Sequence, residues 1–552
     1  MPSIPGCTAP SRSSRPAASS TSGHFSVPSR LGRRAFLGAL GGGALAALLP
    51  LKGRGGLFPL AEDTPQAVAA VPFQARLPIP EVLSGSHLEI PIREAEAQIF
   101  PGPKTRLWTY GGTFPGPTIR RRAGERTTVS FRHELPARVG ELSVHLHGGH
   151  NRTQYDGQPG GLTASQPTSL YCHIPRGLTP RQSGNDLLLA PGARKTYVYD
   201  LTEDGRPERA AFHWYHDHRL DRTAPHSWRG LAGMWIVDDD FDASLPLPRG
   251  DRDIPLLIAD RTFDRHNQLT DPFTAQRPPA DGILGATILV NGAFMPHHEV
   301  SPIRYRLRIL NVSQLRAYNL VLSNGAAMVQ IGSDSGLMPQ PVRRREILIG
   351  PAERVEVIVD FADVAGESVE LRSARHSGRN PLGARSYAGA LMQFRVGAGR
   401  VPDRTRVPRR LRPLPHWALR AKREKRRPDH RWEISIGGLF KTTWLINGRT
   451  FNPARADTFP VLGTTAVWEI VNRTAVAHMM HIHHNDWYLL ARDGRPPPPW
   501  EDCLKETFFV YPEERILVAG HFADHPGKFV IHCHMFDHED HGLMSQFEVV
   551  AA

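Results

Sequence analysis

Short runs in which apolar and polar residues alternate, each closed by a glycine or proline turn, dominate the chain and predict β-strands. Four such elements recur three times in one order. The first is a strand running through a glycine turn to a proline, at 107–115, 288–296 and 444–453. An alternating strand follows at 128–132, 306–311 and 467–472. Next comes a proline-led turn into a strand at 191–199, 351–359 and 512–518. A last strand closes each copy, at 233–237, 390–396 and 542–549. A fourfold pattern kept in sequence three times predicts an all-β chain of three homologous Greek-key sandwich or barrel domains. They are expected over 75–245, 250–400 and 431–552.

Composition agrees with this reading. The 552 residues exceed one hydrophobic core, and 50 Gly with 49 Pro suit many short strands and turns. Residues 1–69 read as a leader instead. Arg33 and Arg34 precede an apolar run to Leu51 that Gly41, Gly42 and Gly43 interrupt, which resembles a twin-arginine export signal. The run is too short for a stable membrane span, so the expectation is export to the periplasm or the outside through the twin-arginine machinery. The formal charge is +13, part of it in that leader. A basic stretch over 401–430 lacks interleaved aromatics and predicts an interdomain linker, with no nucleic-acid partner. Among four cysteines, Cys7 falls in the leader and Cys533 sits between two histidines. Cys172 and Cys503 remain as one disulfide or two buried thiols.

Histidine pairs carry the chemistry: His145 with His147, His216 with His218, His481 with His483, and His532 with His534. On a strand, positions i and i+2 share a face, so each pair delivers two imidazoles side by side. Eight such nitrogens suit several borderline metal ions better than one. Cys533 lies between its flanking histidines and so points the other way, and His478 has the opposite parity to His481 and His483. With His538 they make the thiolate and two imidazoles of a blue-copper electron-transfer site. Peptide bonds would join that site directly to His532 and His534. The second copy has no such pairs and is expected to be a structural spacer.

These motifs resemble the multicopper oxidases of the three-domain, laccase-like type, over essentially everything after the leader. The resemblance implies three cupredoxin-like domains and four coppers per chain. His478, Cys533 and His538 would hold the type 1 ion, and His145 and His481 the type 2 ion. The two type 3 ions would take His147, His216, His218, His483, His532 and His534. It implies one-electron oxidation of a small reducing substrate, which in this family is a phenol, an aromatic amine, a bilirubin-like pigment or a metal ion. Dioxygen is reduced to water, and Asp156 and Glu539 match carboxylates that help move the protons.

The chain departs from the family pattern at two points. Met479 replaces the usual proline after His478. Leu543, or Met544 if the loop shifts, stands where the axial neighbour of the type 1 copper belongs. Glu501 and Asp502 are candidates to attract a cation or orient a phenol, near Lys505 to Thr507, which resembles the loop beside the type 1 site. His150, His213, His226, His484 and His541 are expected to support ligands or lie at the surface. The alternatives are an exported scaffold that has lost copper, and a copper-binding or electron-transfer protein.

Overall fold

The computed structural model describes residues 70–160, 187–273, 282–375, 387–437 and 443–552. The leader, with Cys7, and Cys172 lie outside them.

The sequence repeat reappears as a repeat of strand order. In the first copy Thr105–Tyr110, His87–Ala97, Thr127–His133 and Arg194–Tyr199 lie side by side, the middle two parallel and the outer pairings antiparallel. Thr287–Val290, Asp253–Arg261, Arg304–Asn311 and Arg354–Asp360 repeat that order. So do Thr443–Ile446, His430–Gly437, Thr465–Asn472 and Arg515–His521. A parallel neighbour cannot be reached by a tight hairpin, so each copy sends its chain across to a second sheet before returning.

Alternation explains what lies between the sheets. Ile90, Ile92, Phe131 and Trp235 are buried in the first core, Leu256, Leu307 and Phe394 in the second, and Trp432, Trp468 and Phe547 in the third. Each such side chain contributes roughly 1.5–3 kcal/mol on leaving water. The architecture is all-β, as expected.

One buried ionic network joins the middle copy to the chain before it. Arg306 bonds both oxygens of Asp242 at 3.0 and 2.7 Å and donates to Glu356 at 2.7 Å, while Arg308 reaches Asp253 at 2.7 Å and Glu356 at 3.0 Å. Burial alone would raise the Asp242 and Asp253 carboxyls, but the arginines outweigh it and hold both below the usual range. Their contribution is therefore complete at neutral pH and is lost as pH falls below about 4. Arg306→Met takes one of two arginine partners from each of Asp242 and Glu356, leaving Arg249 and Arg308, and is expected to cost about 3 kcal/mol in thermal or urea unfolding. An unchanged midpoint would contradict this.

The basic stretch is more anchored than a linker requires. Its helix His416–Glu424 buries Ala418 against Tyr488 and Leu504, and Ala421 against Val467 and Ala519. Among the described residues no helix is long and apolar enough to cross a membrane.

Candidate metal centre

Six strands and two short helices position the site: β1 (Val144–His147), β2 (Ala211–Asp217), β3 (His478–Ile482), β4 (Thr507–Val510), β5 (Gly527–Cys533), β6 (Met544–Val549), α1 (Thr223–Arg229) and α2 (Phe536–Asp540). β1 and β2 pair antiparallel with His145 opposite His216, and β3 and β5 with His481 opposite His532 and Met480 opposite Cys533. Residues opposed across a ladder share a face. His481 and His532 therefore face one way, while Cys533, Met480 and His478 face the other. The parity read from the sequence is the parity of the fold.

Eight imidazoles from the two strand pairs meet in one buried cluster. His145 stacks on His483 with ring centroids 4.0 Å apart, and His147 on His481 at 3.7 Å. Nitrogens of His147, His216 and His534 lie within 4.8 Å of one another, as do those of His218, His483 and His532, and of His145, His147 and His481. The six residues left undivided by sequence thus separate into two triads.

On the opposite face of β5, Cys533 Sγ lies 3.6 Å from His478 Nδ1 and 3.5 Å from His538 Nδ1, and the two nitrogens are 3.2 Å apart. Trp444 covers this trio, its ring 5.0 Å from that of His478 and 4.5 Å from that of His538. Leu543 belongs to the same apolar core as Cys533. Met544 packs on the other side with Leu220, Phe451 and Val530.

Most rings spend one nitrogen on an outer partner and turn the other inward. His145 Nδ1 meets the Asp156 carbonyl at 2.8 Å, His216 Nδ1 that of Asp217 at 2.9 Å, and His481 Nδ1 that of Glu506 at 3.1 Å. Their Nε2 atoms are buried without any hydrogen-bond partner. His483 Nδ1 meets Asp156 Oδ2 at 2.8 Å, and His532 Nδ1 meets Glu539 Oε2 at 3.2 Å. Thr223 donates to the other oxygen of Glu539 at 2.8 Å. Nε2 of His532 lies 3.2 Å from Nε2 of both His218 and His483. Buried nitrogens left unpaired or aimed at one another are costly unless a shared cation accepts their lone pairs.

Electrostatics favours the same donors. Burial pushes His218 and His478 down to about 3, and His147, His216, His481, His483 and His534 well below the ordinary histidine value. These rings are neutral, which is the ligating form. Burial raises the Cys533 thiol to about 12, so binding of an ion there must displace its proton. With nitrogen donors in one cluster and sulfur plus nitrogen in the other, the residues fit copper.

The Asp156–Gly157 turn exists, and it also serves the site. Gly157 has φ +67°, and a Cβ there would lie 2.4 Å from that of His145, so only glycine lets the turn press Asp156 against the cluster.

Several supporting residues were not foreseen. Asp217 accepts from Ser143 N and His226 Nδ1, both at 2.7 Å, and fixes the end of β2. Glu506 lies 3.0 Å from His147 Nε2, bonds Arg354 and accepts from Ser335 at 3.2 Å. The Lys505 to Thr507 segment therefore borders the eight-histidine cluster, not the cysteine trio. Its pairing of Thr507 with His481 turns it that way.

Glu501 is bound to Arg492 through two 2.7 Å contacts and Asp502 to Lys422 at 2.8 Å, so both carboxylates are engaged within the protein. Cys503 is a buried free thiol. His213, His226 and His484 are buried rather than at the surface.

Comparison with known proteins agrees with this geometry. Multicopper oxidase family models match residues 92–171 and 425–552. A laccase of Bacillus stratosphericus is 31% identical over 531 residues, covering 87% of this chain and 99% of its own. A bilirubin oxidase of Albifimbria verrucaria is 30% identical, with 86% and 79% covered. The crystal structure of a laccase from Pediococcus acidilactici superposes with a TM-score of 0.71 at 28% identity, covering 87% of this chain and 95% of its own.

Proposed function

The chain belongs to the multicopper oxidase family, and from that premise we propose how its residues divide the work. It is a laccase-like oxidoreductase that uses dioxygen as acceptor. Four coppers per chain is our reading. His478, Cys533 and His538 hold one, and His145 and His481 a second. The triads His147, His216, His534 and His218, His483, His532 hold the other two. When bound, copper supplies one-electron oxidation of the substrate at the cysteine site and four-electron reduction of dioxygen to water at the histidine cluster.

One observation carries this division. The cysteine on one face of β5 is peptide-bonded to a histidine of each triad on the other face, so continuous bonds join the two donor sets. Leu543, which shares the buried core with Cys533 while Met544 does not, would stand beside a copper held there. It offers no lone pair, which favours a high potential.

Asp156 and Glu539 serve different rings of the cluster, His145 and His483 for the first and His218 and His532 for the second. Burial pushes the Asp156 carboxyl above its ordinary value, and its Oδ2 lies 2.8 Å from His483 Nδ1 while its Oδ1 accepts from Asn151 at 3.2 Å. Glu539 places Oε2 3.2 Å from His532 Nδ1 and accepts from Thr223 on Oε1 at 2.8 Å, which sets its carboxylate as an acceptor beside the cluster. A relay needs groups at the cluster that can take up and release a proton.

Phenols and aromatic amines are the proposed substrates, by analogy with the laccases. The paired arginines and apolar run of the leader support twin-arginine export to the periplasm or beyond. A copper-free scaffold would have no use for the eleven donors that remain. The test is copper content and visible spectrum of the loaded protein. Four ions per chain with an intense blue thiolate band are expected, whereas a colourless protein with little copper would support the scaffold.

A further inference from the structure

The middle copy supplies none of the eleven donors, yet its buried side chains reach the eight-histidine cluster. Arg354 opens the strand Arg354–Asp360, and Asp334 and Ser335 form the turn between Met328–Ser333 and Gly336–Arg344. Together they grip Lys505 to Thr507 of the third copy. Lys505 Nζ lies 3.0 Å from Asp334 Oδ2, and the Thr507 amide donates to the same oxygen at 3.4 Å. Between them, Glu506 takes the Arg354 guanidinium on Oε1 and the Ser335 hydroxyl on Oε2, the latter at 3.2 Å.

The guanidinium is itself locked at all three nitrogens. Nε donates to the Phe212 carbonyl of β2 at 2.8 Å, Nη2 to the Asp334 carbonyl at 3.1 Å, and Nη1 to the Ala352 carbonyl at 3.2 Å as well as to Glu506. A planar fork held in this way has one setting, and it dictates that of Glu506.

Glu506 in turn meets two ligating rings. Its Oε1 lies 3.0 Å from His147 Nε2 and its carbonyl 3.1 Å from His481 Nδ1, and these rings, from the first and third copies, stack at 3.7 Å. Thr507 Oγ1 stands on the same side of His147, 3.2 Å from Nε2. A guanidinium only donates, so the oxygen it meets is an acceptor, and the His147 nitrogen beside that oxygen carries the hydrogen. Nδ1 of His147, buried without a hydrogen-bond partner, is left free, whereas in His145, His216 and His481 the free nitrogen is Nε2.

We propose that Arg354, acting through Glu506, is a positioning residue that fixes which nitrogen of His147 faces the cluster. The middle copy is then a working part of the oxidase and not a spacer. This rests on the reading of His147 as a copper ligand.

The test compares Arg354→Met, the double variant Arg354→Met/Glu506→Leu and Glu506→Gln with the unmutated protein. Chelator competition on copper-loaded protein reads affinity at the cluster, the blue band reads the cysteine site, and thermal unfolding with and without copper reads the fold. Arg354→Met leaves a buried carboxylate without its cation, so the double variant, which removes both charges, should unfold at a higher temperature than Arg354→Met. Its cluster copper should nevertheless bind at least about 10-fold more weakly, with the blue band retained, because His147 has lost its acceptor. Glu506→Gln keeps an oxygen that can accept from both Arg354 and His147, so its copper affinity should stay close to that of the unmutated protein. Cluster affinity unchanged in the double variant would overturn the proposal, and so would a loss in Glu506→Gln as large as that in the double variant, since charge alone would then matter. If the unmutated protein held no copper beyond the blue site, the reading of His147 as a ligand would fail first and the proposal with it.

Discussion

Cys533→Ser is expected to abolish the blue absorption and to lower turnover of a phenolic substrate by on the order of 10³-fold or more, about 4 kcal/mol in barrier. The eight-histidine cluster should keep its metal. Sγ is the only sulfur of the trio with His478 and His538, and a serine hydroxyl is a hard, protonated donor that does not replace a thiolate. The same residue is bonded on one side to His532, in the triad with His218 and His483, and on the other to His534, in the triad with His147 and His216. Removing the sulfur therefore closes the route at its source and leaves its destination assembled. Copper content, the visible spectrum and steady-state oxygen uptake read out these effects separately. If phenol turnover survived loss of the blue band, electrons would have to enter elsewhere.

The second large effect is expected at the carboxylates. Asp156→Asn and Glu539→Gln should each lower kcat by about 10²–10⁴-fold, the usual range for a lost general acid or base. KM for the reducing substrate and the blue band should stay unchanged. The amides keep the carboxylates' shape and an oxygen beside the His483 and His532 rings, whose own orientation is held at His483 Nδ1 by Asp156 and at His532 Nδ1 by the Cys533 carbonyl, while the group that can carry a proton is lost. A flattened pH profile of kcat should accompany the loss. Because the two groups contact different rings, the double variant should be slower than either single one. Full activity with copper retained would remove the residues from the proton path, and lost copper would assign them to assembly instead.

The site was legible in the sequence because strand geometry is simple. Parity alone places Cys533 and His478 on one face and the eight paired histidines on the other, and a ladder with a period of two preserves that arrangement in three dimensions. The repeat was legible for the same reason, as turns and alternation mark each strand. What sequence could not supply is the partner across a gap. Nothing in the spacing divides the six type 3 histidines into triads, since that depends on how the first and third copies meet. Glu506 was assigned to the wrong neighbour because adjacency along the chain does not reveal the register of β4 against β3. The leader and Cys172 lie outside the described residues, so export rests on sequence alone, while Cys503 is a free thiol and not half of a disulfide.

The most direct test of the central claim is the ratio of substrate electrons to dioxygen consumed by the copper-loaded protein, measured with a one-electron phenolic donor and an oxygen electrode, with a peroxide assay alongside. The account predicts four electrons per dioxygen and no hydrogen peroxide, because eight histidines serve a cluster wired to Cys533. A ratio of two with stoichiometric peroxide, or no oxygen uptake by protein holding its full copper, would contradict it.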